Sequence, residues 1–180
     1  AEKQGKIYVM NRIWSWLLAM STVICALFMT LMTVFYSSEN PLTAFLNRLI
    51  NFRLSYGKKG VDLFGFSLLG QYIPMIGNGG SVKESEMYFF LDCSYMNLAL
   101  QFGIVLLGII LIICSVIGFS AIQKKNWVLL WILAVVAVQC MIEHHMMDIS
   151  YNPFLWAVFA DMTVKAGKRL DWKKKRKQTV

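Results

Sequence analysis

Long runs without charge alternate along this chain with connections that are basic or mixed, and the lengths of the runs set the first expectation. From Trp14 to Tyr36 the sequence is apolar or small and polar, with aromatic residues at both ends as interfacial anchors. A second run, Tyr95 to Ile122, carries the uncharged centre GIVLLGIILIICSVIGF. A third begins at Trp127 and reads VLLWILAVVAVQCMI before Glu143, and a fourth, shorter one covers Pro153 to Val164. About 20 apolar residues in a helix cross a bilayer's hydrocarbon core of about 30 Å. The pattern therefore predicts an all-α integral membrane protein with about four transmembrane helices. At about 1.5 Å per residue the third run needs a further turn to cross, which predicts that Glu143 and His144 lie within the outer edge of the membrane. Asn152-Pro153 reads as the start of the fourth helix, because proline at the first helical position gives up only a donor that would be unpaired there.

Between the first and second runs lies a long connection, Ser37 to Cys93, punctuated by Gly57, Gly60, Gly65, Gly70, Gly77, Gly79 and Gly80, which predict repeated turns. Within it Asn40-Pro41 marks a helix start. Leu42, Phe45, Leu46, Leu49 and Ile50 then recur on one face, which predicts an amphipathic helix lying on the outer membrane surface. If that helix continued, a step of 100° per residue would bring Arg53 to within about 20° of Leu42, in the middle of the apolar face, with Arg48 on the flank. A guanidinium turned inward there needs a carboxylate or a phosphate to meet it. The other reading ends the helix near Asn51 and leaves Arg53 to snorkel.

Composition agrees with a membrane solvent: 57% of residues are hydrophobic, 16% are charged, and mean hydropathy is +0.54. The net charge of +8 would suggest nucleic acid in a soluble chain, but here the cations stand at the ends of apolar runs. Lys3, Lys6 and Arg12 precede the first, Lys124 and Lys125 follow the second, and the tail KAGKRLDWKKKRKQTV follows the fourth. Cytoplasmic loops carry the lysine and arginine excess, so both termini are predicted to be cytoplasmic, and the tail reads as a polybasic segment drawn to anionic lipid. The long connection balances Arg48, Arg53, Lys58, Lys59 and Lys83 against Glu39, Asp62, Glu84, Glu86 and Asp92, as an exported loop should. The divisions are then 1–36, the cytoplasmic N-terminus and first transmembrane helix; 37–94, the extracytoplasmic loop; 95–164, three transmembrane helices; and 165–180, the cytoplasmic polybasic tail. Cys25, Cys114 and Cys140 fall in the runs and Cys93 in the connection, so no disulfide is expected. The first run is too long for a signal peptide, and a chain opening on Ala1 without an initiator Met reads as a fragment.

Ionisable residues at membrane depth are functional candidates by default. Asp92 and Tyr95 stand before the second run, on a face shared with Ala99 and Gly103, a small pair that would let another helix approach closely. Glu143 ends the third run and is followed by His144 and His145. A zinc site at 143–145 is disfavoured because successive residues on a helix diverge by about 100° and no second His or Cys cluster completes it. No Walker motif, dinucleotide fingerprint, nucleophile elbow or metalloprotease motif is present, which argues against soluble nucleotide chemistry.

Taken in order, LNRLINFRLSYGKKGVDLFG, LDCSYMNLALQFGIV and IEHHMMDISYNPFLW resemble the C-terminal portion of a Wzy-type bacterial polysaccharide polymerase. The positions that match are Arg53, Gly65, Asp92, Tyr95, Gly103, Glu143 and Asn152, and the match covers nearly the whole chain. Family members usually have about ten or more spans, so this chain would be the end of one. The resemblance implies glycosyl transfer on the outer face of the bacterial plasma membrane, between oligosaccharide repeat units carried on undecaprenyl pyrophosphate. Its further implied partners are membrane lipids and the chain-length regulator and flippase proteins, with no nucleic acid, no metal and no cofactor.

On that reading Arg53 and Arg48, with Tyr95 and Asn152, bind the substrate, because a planar guanidinium takes two phosphate oxygens at once and keeps its charge. It would stabilise the negative charge growing on the departing pyrophosphate. The acceptor hydroxyl needs a base, for which Asp92 and Glu143 rank level and His144 behind them. Two other readings stand beside this one. A ligase would move finished glycan from the same carrier to another acceptor. A non-catalytic transport or assembly subunit would need polar residues at the bilayer midplane, where the second run has none.

Overall fold

A computed structural model describes residues 12–76 and 89–148 of the chain. Among these residues the architecture is helical: α1 (Arg12–Ala19), α2 (Ser21–Val34), α3 (Pro41–Leu49), α4 (Arg53–Phe64), α5 (Ser94–Asn97), a π-helical turn at Leu98–Phe102, α6 (Ile104–Gln123) and α7 (Trp127–Gln139). The only β-type pairing among them is a single antiparallel bridge between Ile76 and Phe89. The fourth predicted span, Asn152 and the basic tail lie outside the described residues.

α2, α6 and α7 pack against one another, and α4 and α5 both lean on α2. Glycine lets these backbones approach. A Cβ on Gly57 of α4 would come within 2.8 Å of Thr33 Cγ2 on α2, and one on Gly60 within 3.0 Å of Leu100 in the π turn. Cys93, Cys114 and Cys140 are buried in this packing as free thiols.

Three of the predicted helices are interrupted. The first run, read as one span from Trp14 to Tyr36, bends by 60° between α1 and α2. Gly118 of α6 packs against the bend so closely that a Cβ there would sit 2.8 Å from the Ala19 carbonyl oxygen. The second run, read as continuous from Tyr95 to Ile122, breaks at Gly103, whose φ is +97°. α6 after the break has 20 residues, or about 30 Å, and is the one helix among the described residues that is by itself long and apolar enough to cross a membrane; α1 and α2 reach that only together. The third run forms 13 helical residues, about 20 Å, and ends at Gln139 in a turn instead of continuing to Glu143.

α3 forms as its sequence predicts. Asn40 caps it, its Oδ1 accepting from Leu42 N at 2.9 Å, and Pro41 takes the first position. Its predicted apolar stripe is split: Leu46 and Ile50 pack on the core, but two polar residues take the most buried positions. Thr43 and Asn47 turn inward, Thr43 Oγ1 donating to the Ser37 carbonyl at 2.6 Å and Asn47 Nδ2 to Tyr36 Oη at 3.2 Å. Leu42, Phe45 and Leu49 are 63%, 58% and 63% exposed. The helix stops before Arg53 because Asn51 and Phe52 adopt left-handed conformations, with φ of +52° and +63°. Arg53 therefore opens α4 and is not the last residue of the α3 stripe.

Candidate functional site

Arg53 turns inward although the periodicity argument that placed it there does not apply. The left-handed pair before it redirects the chain in a way that no helical wheel describes, and the first turn of α4 then aims the guanidinium toward the segment before α5. There Arg53 Nη1 forms an ion pair with Asp92 Oδ2, while Arg53 Nε donates to the Ile142 carbonyl at 2.9 Å. Both side chains are largely buried, at 11% and 14% exposure. Of the five N–H donors of a guanidinium, these two contacts use two.

Asp92 is fixed from both sides. The Ile76–Phe89 bridge ties down the strand-like approach, its two N–H···O bonds measuring 2.9 and 3.1 Å. Ser94 then clamps the far side to the turn after α7: its N–H donates to the Cys140 carbonyl at 3.0 Å, its hydroxyl donates to the Glu143 carbonyl, and Met146 N donates to Ser94 Oγ at 3.2 Å. The sequence reading passed over Ser94. A serine at the start of an apolar run, two residues after an acid, was the available signal.

The clamp brings Glu143 and His144 to Asp92. One ligand atom from each of Asp92, Glu143 and His144 lies within 4.8 Å of the others. His144 Nδ1 is 3.8 Å from Asp92 Oδ1, and His145 Nε2 is 3.8 Å from Glu143 Oε2. The His144 ring meets Phe90 edge-on at 5.4 Å. Residues 143–145 lie in a turn, so the helical divergence used against a metal does not operate here; by spacing alone, Asp92, Glu143 and His144 could share a divalent cation. Asp92, however, already meets a fixed cation in Arg53.

Depth separates the members. Asp92 is 14% exposed, whereas the Glu143 and His144 side chains are each 41% exposed. Burial pushes the Asp92 carboxyl above the ordinary carboxylate range; Arg53 counteracts this, the Glu143 charge adds to it and His144 opposes it. A buried arginine–aspartate pair thus lies behind an outer pair, Glu143 and His144, that solvent or a ligand can reach.

The other predicted site residues fall elsewhere. Tyr95 is fully buried and its hydroxyl donates to the Ala137 carbonyl at 2.8 Å, so it joins α5 to α7 and is out of a substrate's reach. Arg48 is exposed on the last turn of α3, where a cation complements the helix dipole, and its side chain takes no part in the cluster. Gly103 does not admit a neighbouring helix, as its pairing with Ala99 predicted; it admits the loop after α4, since a Cβ there would lie 2.5 Å from both Gly70 N and the Leu68 carbonyl oxygen. Gly65, with φ of +68°, ends α4. Compared with known proteins, the chain matches no family, no curated protein and no solved structure.

Proposed function

We propose that this chain is the C-terminal portion of a membrane glycosyltransferase of the polysaccharide polymerase type. It would join oligosaccharide repeat units carried on undecaprenyl pyrophosphate at the outer face of a bacterial plasma membrane, with several spans and both termini cytoplasmic. The observation that carries the reading is the convergence of Arg53, Asp92, Glu143 and His144, drawn from three separate parts of the sequence, beside the apolar helices. The outward Leu42, Phe45 and Leu49 of α3 and the apolar length of α6 support the membrane setting.

In this proposal Asp92 and the Ile142 carbonyl hold the guanidinium of Arg53 in one orientation, and its three remaining N–H donors meet the pyrophosphate. The acceptor hydroxyl oxygen attacks the anomeric carbon of the donor sugar. The bond from that carbon to the phosphate oxygen breaks, its electron pair leaves with the pyrophosphate, and Arg53 stabilises the charge that appears there. Glu143 takes the hydroxyl proton. It is favoured over Asp92 as the base because its carboxylate is open to an incoming hydroxyl, whereas that of Asp92 is bound to Arg53.

The test is glycan length in cells expressing the intact protein. Arg53→Ala at normal abundance should leave single repeat units on the lipid carrier, and Glu143→Gln should lower the transfer rate by a factor on the order of 10²–10⁴. Long polymer from Arg53→Ala cells would remove the role assigned to that residue. Full-length glycan accumulating on the carrier would instead identify a ligase.

A further inference from the structure

The loop from Gly65 to Tyr72, which joins α4 to the segment leading to Ile76, turns its large apolar side chains outward. Leu68 is 69% exposed, Leu69 86% and Tyr72 87%. From Leu63 to Val82 the chain carries no charged residue, unlike the rest of the connection on either side. A water-facing loop would not ordinarily combine adjacent exposed leucines with so long an uncharged stretch.

Part of the backbone of the same loop is paired within the protein. The Ser67 and Leu68 carbonyls accept from Ile104 N at 2.9 Å and Val105 N at 3.2 Å, the first two N–H groups of α6, which have no partner inside their own helix. Gln71 N donates to the Gln101 carbonyl at 2.9 Å. Ser67 Oγ accepts from Gly70 N at 3.1 Å and donates to the Gly70 carbonyl at 2.9 Å, and Gln71 Nε2 donates to the Gly65 carbonyl at 2.9 Å. The break at Gly103 and the positive φ of Gly70, +103°, bring the two backbones together. The N–H groups of Phe66, Ser67, Leu68 and Leu69 have no partner among the described residues, so this backbone needs headgroups or water within reach while its apolar side chains turn to lipid.

The apolar surface continues from the loop onto the start of α6, where Phe102, Ile104 and Val105 are also exposed. We infer that the loop 65–72 lies at the boundary of headgroups and acyl chains in the outer leaflet, with Leu68 and Leu69 dipping among the acyl chains, as a lipid-facing strap across the head of α6. The inference rests on α6 crossing the bilayer, as proposed above. Its consequence is mechanical. α4 runs from Arg53 to Phe64, about 18 Å, with the strap at its far end, so lipid contact at Leu68 and Leu69 anchors the helix that carries Arg53 and fixes the depth of the guanidinium.

The experiment places a nitroxide on Leu69→Cys in the full chain reconstituted into phosphatidylethanolamine–phosphatidylglycerol nanodiscs, and measures collisions with oxygen and with a water-soluble nickel chelate. Tyr72→Cys is a second position on the strap, Ile112→Cys marks the middle of α6, Glu39→Cys marks water, and the unsubstituted chain reports labelling of native thiols. The expected result is a shift toward oxygen at Leu69 and Tyr72 relative to Glu39, smaller than that at Ile112. Nickel-dominated collisions at both strap positions, with oxygen-dominated collisions at Ile112, would overturn the strap and leave the membrane reading intact. Exclusion of both reagents from the strap would mean that protein covers it, which overturns the inference equally. Nickel-dominated collisions at Ile112 would overturn the bilayer setting itself.

Discussion

Arg53 Nε donates to the main-chain carbonyl of Ile142 at 2.9 Å, joining the first turn of α4 to the turn after α7 across 89 positions of sequence. The contact gives the guanidinium a second anchor besides Asp92. With two anchors at different angles, the orientation of the remaining donors is set before any ligand arrives, which is the condition for stabilising a developing charge without reorganisation.

Removing one partner of this pair should cost more than removing both. Asp92→Asn leaves a largely buried guanidinium with no counter-charge and should destabilise the protein by about 3 kcal/mol. Arg53→Met combined with Asp92→Asn removes the charge as well and should recover part of that loss. Thermal unfolding in detergent, monitored by circular dichroism, reads the difference; a double variant less stable than Asp92→Asn would contradict it.

Acid should switch off the orientation of Arg53. Burial raises the Asp92 carboxyl above the usual range, and the ionised form that holds the arginine exists only above that raised value. On the function proposed above, transfer should therefore fall with decreasing pH at a higher pH than an exposed aspartate would give. His144 favours the ionised form, so His144→Gln should move the acid limb further upward. A pH–rate profile of both proteins tests this, and an unmoved or lowered limb in His144→Gln would refute it.

Tyr95→Phe separates packing from substrate binding. The lost hydroxyl leaves the Ala137 carbonyl without its partner in a buried site and should cost about 1 kcal/mol of stability. Transfer per folded molecule should be unchanged. A clear rise in KM for the lipid-linked donor would restore Tyr95 to the binding site.

Two glycines of the second run should respond in opposite ways. Gly103→Ala combines a positive φ with a Cβ 2.5 Å from the loop backbone, and should destabilise by more than about 2 kcal/mol or abolish folding. Gly108→Ala, five residues on, meets nothing within 4 Å and should stay within about 0.5 kcal/mol of the parent. Expression yield and unfolding temperature in the same detergent distinguish them.

Short-range pattern carried a good part of this architecture. The uncharged run that becomes α6 and the Asn40-Pro41 start of α3 are local features, because apolar length and capping depend on residues within a few positions. The same pattern singled out Arg53, Asp92 and Glu143, since a charge at the edge of an apolar run is conspicuous wherever the chain later goes.

What the amino-acid sequence determined by itself was thus the kind of element and the identity of the ionisable residues beside it. The tertiary structure decided where the helices break and who meets whom. The bend at Met20 lies against Gly118, and the N–H groups freed after Gly103 are met by the carbonyls of Ser67 and Leu68. The position of Arg53 came from a left-handed turn at Asn51 and Phe52, and its second anchor is a main-chain carbonyl that carries no side-chain signature. A helix can end inside an apolar run only where another segment satisfies the backbone groups it frees, and which segment passes there is fixed by long-range packing, not by local composition.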